Sequence, residues 1–243
     1  DLFAEREKML FAPYEGEEKL PPHAPEIGIP RILFFHEMFP FWKAFFTELG
    51  YRVVLSDATN KELIRKGVEN VVAETCFPIK VSHGHVLNLL EKGVKKIFLP
   101  SLVNIKPPHP EIPNSTACPY AQSFPYAIHS SIDFKKAKVE VLQPILHFGF
   151  GRDHLEKELV DFGRSLHRRS KQVRKALEKA ERFQALFYQS LLNRGKEVLD
   201  QVESNGKVMV IVGRPYNSCD SGVNLEIPKK LRDLGVLAIP MDY

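Results

Sequence analysis

The chain has 243 residues, 44% of them hydrophobic and 26% charged, which places it among ordinary globular proteins of one large or two small domains. It contains no run of about 18 apolar residues, which excludes a membrane-spanning helix, and its net charge of +4 is too modest to argue for nucleic acid as a partner. Its opening residues, Asp1 to Lys8, are charged, so no secretory signal is visible, and three cysteines without such a signal point to a reducing, cytoplasmic compartment.

Metal ligation, a reactive thiol or plain burial then explain the cysteines better than a disulfide. The chain lacks an initiator Met and stops at Tyr243, directly after a predicted strand, so it reads as a piece of a longer polypeptide.

Residues 1–26 read as a short helix (Leu2 to Leu10) and a proline-rich stretch, Leu20 to Pro25, forming an arm from a preceding domain. Residues 27–150 alternate short apolar runs with helical patterns. Strands are expected at Arg31–Phe35, Arg52–Leu55, Asn70–Ala73, Lys96–Leu99 and Val139–Leu142. Helices are expected at Phe41–Leu49, from a cap at Asp57 or Thr59 to Lys66, at Pro78–Lys92 and at Pro119–His129. Gly50, Gly67 and Gly93 read as helix stops. Short strands alternating with helices predict a parallel sheet covered on both faces. The segment Val103–Thr116, with its prolines, predicts a long loop at a strand end.

Residues 151–205 carry leucine-type spacing throughout and predict two helices, ended by Asn205-Gly206. Residues 206–243 then give a buried strand at Lys207–Val212, a helix at Asn224–Leu234 and a strand at Val236–Ile239. The fold class is therefore α/β: a flavodoxin-like, mostly parallel sheet domain, a helical segment, and the start of a second α/β domain.

Two cysteines share one grammar. Cys76 precedes Phe77-Pro78 and Cys118 precedes Pro119, each at a predicted helix start. Proline suits the first helical turn because it brings no unpaired N–H. Each sulfur then lies at the positive end of a helix, which favours a thiolate or a thiolate-bound cluster. Ligands of α/β sheets bind beyond the carboxyl ends of the strands, where these helices begin. The bland reading is two small buried hydrophobes.

Around Cys76, Glu74 and Lys80 are near enough to pair with each other. His83 and His85 flank Gly84 at i and i+2, so they point in different directions and read as core or neighbouring histidines rather than joint ligands. The stretch Gly213–Asn224 is a third dense polar segment between a strand and a helix. It matches neither a dinucleotide fingerprint nor a P-loop. It contains Arg214, Tyr216, Asn217 and Cys219, the last of which could join the other two cysteines. The run Arg164–Arg182 holds eight Lys or Arg in nineteen residues. Its leucines keep helical spacing, and it reads as a solvated helix face. No Ser-His-Asp signature or carboxylate pair stands out, so no catalytic residue is assigned. The competing function is a non-redox fragment that holds an acyl-CoA or nucleotide through Gly213–Asn224 and the basic helix, with the cysteines merely buried.

The motifs Ile27-Gly-Ile-Pro-Arg31, Pro40-Phe-Trp42, Val53-Val-Leu-Ser56, Glu74-x-Cys-Phe-Pro-x-Lys80, His83-Gly-His85, Cys118-Pro-Tyr-x-Gln122 and Gly213-Arg-Pro-Tyr-Asn217 resemble, in order and spacing, one family. It is the iron–sulfur region of the large CoA-enzyme activase proteins, related to 2-hydroxyacyl-CoA dehydratases and double-cubane cluster proteins. The resemblance runs from about Ile27 to the C-terminus.

It implies an electron-transfer or reductase module that binds an iron–sulfur cluster, [4Fe–4S] or larger, through Cys76 and Cys118. It implies an acetate/sugar-kinase-like ATPase domain as electron donor, an acyl-CoA as substrate of the dehydratase members, and a homodimer. It also implies a further cysteine beyond Tyr243, whereas Cys219 is not a family position. Two thiolates alone would hold such a cluster poorly or not at all.

Overall fold

The computed structural model describes residues 1–106, 111, 115–202 and 206–243. The prolines expected to shape the loop after Val103 (107, 108, 110 and 113) all lie outside these residues, as does Asn205.

In chain order the elements are α1 (Leu2–Leu10), β1 (Glu26–Ile29), α2 (Phe35–Glu48), β2 (Arg52–Leu55), α3 (Lys61–Glu69), α4 (Phe77–Glu91), β3 (Lys96–Phe98), β4 (Ser101–Asn104), α5 (Pro119–Ala127), α6 (Phe134–Ala137), β5 (Glu140–Leu142) and β6 (Ile145–His147). They are followed by α7 (Arg152–Ser165), α8 (Ser170–Asp200), β7 (Val208–Ile211), α9 (Pro215–Ser218), α10 (Ile227–Asp233) and β8 (Leu237–Pro240).

The main sheet is parallel, in the order β2-β1-β3-β5. Its direction of winding reverses between β1 and β3, the position where α/β sheets open a crevice. Strands β4 and β6 continue β3 and β5 after Pro100 and Pro144, two residues without a backbone donor. The bonds Leu99 N–H to Leu142 O and Ser101 N–H to Pro144 O, both 2.9 Å, carry the pairing across the break.

The two sheet faces bury different cores. On one, Trp42 and Phe46 of α2 meet Phe98 at centroid distances of 4.6 and 4.8 Å, and α7 and α8 close over them. On the other, Val86 and Leu89 of α4, Phe124 of α5 and Ile128 just after it pack on Ile97. Alternation along β3 sends Ile97 and Phe98 to opposite faces.

Several local expectations are corrected. The first strand is Glu26–Ile29, not Arg31–Phe35, because Phe35 already opens α2 and its aromatic run serves the helix face. Asn70–Ala73 forms a turn between two antiparallel helices, with Val72 and Ala73 exposed, so it has no sheet neighbour. The cap of α3 is Asn60, whose side chain accepts from Leu63 N–H. Gly67 lies inside α3 instead of ending it. Strand β7 was expected to be buried, yet Met209 and Val210 are about half exposed. Among the described residues its one strand neighbour is β8, and neither face is well covered.

Pro40 sits inside α2 and removes the helical donor for the His36 carbonyl. Arg6 of α1 supplies the replacement, with Nη2 donating to His36 O at 3.0 Å. Gln184 of α8 spans the next rung. Its Oε1 accepts from Phe41 N–H at 3.0 Å and its Nε2 donates to Glu37 O at 2.9 Å. The helix around Pro40 is thus held by two buried polar side chains from distant segments, which satisfies groups that would otherwise be costly to bury.

Candidate functional site

Cys76 is the N-cap of α4 and Cys118 the N-cap of α5, and proline stands in the first turn of both helices. Neither helix receives a side-chain cap bond among the described residues, so first-turn N–H groups are left uncapped at each start. The two helices pack against each other. Cys76 is exposed and Cys118 half-buried. Exposed aromatic rings border them: Phe77 beside Cys76, and Tyr120 beside Cys118.

Tyr216 links the pair to the segment after β7. It packs on the α4–α5 core beside Cys118. Burial raises its phenol, Arg214 opposes that shift, and the charges of Cys118 and Cys76 add to it. One side chain therefore senses both thiols. Arg214 caps α9 and is exposed, as is Asn217, whose backbone N–H donates to Arg214 O at 2.8 Å. Cys219 has other surroundings. Burial pushes its thiol up, while Arg6 and a contact of 3.6 Å with Ser218 Oγ oppose this. Its charged neighbours are Arg6, Asp242 and Asp220.

Glu74 and Lys80 form an ion pair of 2.6 Å on the exposed side of α4. Thr75, between Glu74 and Cys76, has a buried hydroxyl oxygen without a hydrogen-bond partner among the described residues. An orphaned donor next to an exposed thiol suits a site whose occupant brings acceptor atoms.

The two histidines separate as their spacing requires. His83 Nδ1 bonds Ile79 O at 2.9 Å, and its ring meets Phe124 edge-on. His85 turns the other way into a buried chain of polar groups. Arg31 N–H donates to Ser56 Oγ at 2.9 Å, and Ser56 Oγ lies 2.8 Å from His85 Nδ1. His85 Nε2 lies 2.9 Å from Thr59 Oγ1, which donates to Asp220 Oδ2 at 2.5 Å. Proton direction assigns His85 the Nε2–H tautomer, since Ser56 donates to Nδ1 and Thr59 passes its own proton to the carboxylate. Asp220 Oδ1 also accepts from Gly222 N–H at 2.8 Å, and His36 Nε2 stands 3.6 Å from Oδ2. This chain ties the first sheet to the segment that carries Tyr216.

Sequence reading missed Ser56, Thr59, His36 and Asp220 as members of this network. Thr59 read as a helix cap, and Asn60 takes that role. Asp220 lay inside the dense polar segment, but its partner is 161 residues away.

Burial pushes the His85 imidazole down to about 3, against an ordinary value of about 6.5. Over that interval the unfolded chain binds the extra proton, so stability falls as pH falls. Denaturant unfolding at pH 5 instead of 7 should cost about 2 kcal/mol from this group alone. His83 shifts in the same direction through burial. His85→Gln should flatten the pH dependence; an unchanged slope would remove His85 as its source.

Beyond the carboxyl ends of β1 and β3 lies a small, mostly apolar crevice of about 40 Å³, partly open to solvent. Its walls include Ile29, Leu33, Phe98, Leu99, Ala121 and Phe124. It occupies the switch point of the sheet, alongside the helix that Cys118 begins. The basic run is engaged elsewhere: Arg174 pairs with Glu156, Arg164 with Asp161, and Arg168 stacks on Tyr51.

Comparison with protein families gives a match to the CoA enzyme activase uncharacterised domain (DUF2229) over residues 26–243. The chain belongs to this family. No curated protein and no solved structure matches it. The activase-family match begins where β1 begins and takes in both cysteines, the His83-Gly84-His85 motif and the Tyr216 segment. Among the described residues no helix is long and apolar enough to cross a membrane.

Proposed function

We propose that this activase-family domain is an iron–sulfur electron-transfer module of the 2-hydroxyacyl-CoA dehydratase and activase type. The observation that carries the reading is the pairing of Cys76 and Cys118 as N-caps of two packed helices, with Tyr216 near both. The donor set fits the group in part. Two thiols, uncapped first-turn N–H groups and the unpartnered Thr75 hydroxyl suit an anionic sulfur-rich cluster. Cys219, whose charged neighbours are Arg6, Asp242 and Asp220, is not in this set, so the remaining ligands come from other groups.

When bound, the cluster would supply one-electron chemistry at low potential. The chain's own residues would hold and tune it. Cys76 and Cys118 would be the iron ligands, and the two helix starts would offset negative charge. Tyr216 would cover the sulfurs on the inner side, with Arg214 adding positive charge nearby. The exposed Cys76 face, with Phe77 and Tyr120, would be the side presented to the electron donor, an acetate/sugar-kinase-like ATPase domain. An acyl-CoA is the substrate class this reading favours, and the apolar crevice beside Cys118 is its nearest apolar surface. Anaerobic reconstitution with iron, sulfide and a small-molecule thiol tests the proposal. Cys76→Ser and Cys118→Ser should each remove most of the iron bound by the unaltered chain, and Cys219→Ser should not.

A further inference from the structure

The turn after β6 gathers a second donor set, remote in sequence from the thiols. His147 ends β6, and His154 and Glu158 lie at i and i+4 on α7, so one helix face presents both toward His147. Glu158 Oε1 lies 2.6 Å from His147 Nδ1 and 3.0 Å from His154 Nε2. One ligating atom from each of the three residues lies within 4.8 Å of the other two.

The carboxylate is already oriented, because its Oε2 accepts the His147 backbone N–H at 2.8 Å. The turn is fixed as well: Asn104 Oδ1 accepts Gly149 N–H at 2.7 Å. Phe150 stacks flat on His147 at 4.7 Å and meets His154 edge-on at 5.2 Å, forming an apolar wall. Glu158 has no Lys or Arg partner among the described residues, while neighbouring Glu156 pairs with both Arg152 and Arg174.

We propose that His147, His154 and Glu158 form a binding site for a divalent transition-metal ion of the zinc class. Two imidazoles and one carboxylate match that ion's nitrogen and oxygen preference, and three protein ligands leave a fourth position for water or another ligand. Bonds of about 2.0–2.2 Å place the ligands of a tetrahedral ion about 3.4 Å apart. The present contacts of 2.6 and 3.0 Å need to open by less than about 1 Å to admit it. In the metal-free form each imidazole nitrogen facing Oε1 must carry a proton to make its contact. On metal binding each ring carries its one proton on the other nitrogen, which frees the facing nitrogen for the ion, and the bond from His147 N–H to Oε2 keeps the carboxylate in place. His154 is 46% exposed, which provides the entry path.

The test titrates the metal-stripped chain with Co²⁺ and with Zn²⁺. Cobalt bound here gives weak visible bands without the near-ultraviolet sulfur-to-cobalt transition that thiolate ligation produces, so this site is distinguishable from Cys76 and Cys118. One ion per chain is expected, with a rise in the thermal midpoint. His154→Ala, a change at an exposed position, and Glu158→Gln should each weaken binding at least about tenfold. Circular dichroism of the metal-free variants verifies that they are folded. The proposal is overturned if no nitrogen- and oxygen-ligated metal binds, or if both folded variants bind as tightly as the original chain. In either case the trio is a hydrogen-bonded staple between β6 and α7.

Discussion

Replacing Gly84 with alanine should destabilise the protein by about 3 kcal/mol or more. Helices α3 and α4 run antiparallel and touch backbone to backbone at Gly67 and Gly84. A Cβ on Gly84 would lie 2.0 Å from the Leu63 carbonyl oxygen, and one on Gly67 would lie 2.2 Å from that of Lys80. Both obstacles are helix backbone and cannot rotate aside, so the helices must part. Separation would pull His85 from Ser56 and Thr59 and shift the start of α4, where Cys76 sits. For a chain of this size the midpoint of thermal unfolding should drop by roughly 6–12 °C. Gly93→Ala is the control. It lies at φ +78° with open space around it, so strain alone should cost about 1 kcal/mol. Equal melting of the two variants would show that close helix approach is not what Gly84 provides.

Asp242→Ala is expected to cost about 3 kcal/mol, from the other end of the chain. Arg6 is 1% exposed. Asp242 accepts from its Nε at 3.0 and 2.9 Å and from its Nη2 at 2.6 Å. Burial alone would weaken the Arg6 charge, but Asp242, with smaller help from Cys219 and Glu37, more than offsets that. Without Asp242 the guanidinium keeps the His36 carbonyl and little else. Its buried charge then loses its hydrogen-bonded partner and keeps only the weaker influence of Glu37 and Cys219, and the brace at Pro40 loosens. Arg6→Met with Asp242→Ala should recover part of the loss, because no buried charge remains. Denaturant unfolding of the single and double variants measures this. A double variant less stable than Asp242→Ala alone would contradict the account.

Most of the sheet was legible because its signals are local. Short apolar runs gave β2, β3, β5, β7 and β8, and glycines after α2, α4 and α10 marked real left-handed turns at Gly50, Gly93 and Gly235. The first strand was misplaced because Arg31–Phe35 is as apolar as a strand. Only the aromatic core that α2 builds with Phe98 decides for helix, and that contact spans more than 50 residues. The second pair of strands, β4 and β6, was missed: each follows its predecessor after a proline, Pro100 or Pro144, and the end of β4 lies in the stretch expected to be a loop from Val103.

At the site, the cysteine–proline grammar identified both N-caps, and i, i+2 spacing separated His83 from His85. The glycine between them carried no visible reason, since its reason is Gly67 on another helix. Thr59, Asp220 and the His147–His154–Glu158 group escaped for the same cause: their partners lie across the fold, not along the chain.

The central claim is that Cys76 and Cys118 form one ligand pair. The most direct measurement is iron and acid-labile sulfide per chain after anaerobic reconstitution, with the blue-visible absorption of the product, for the unaltered protein and three single serine variants. The account predicts iron, sulfide and absorption in the unaltered chain and in Cys219→Ser, and loss of most of all three in Cys76→Ser and Cys118→Ser. Iron content that is the same in all four proteins, or that disappears only with Cys219, would contradict it.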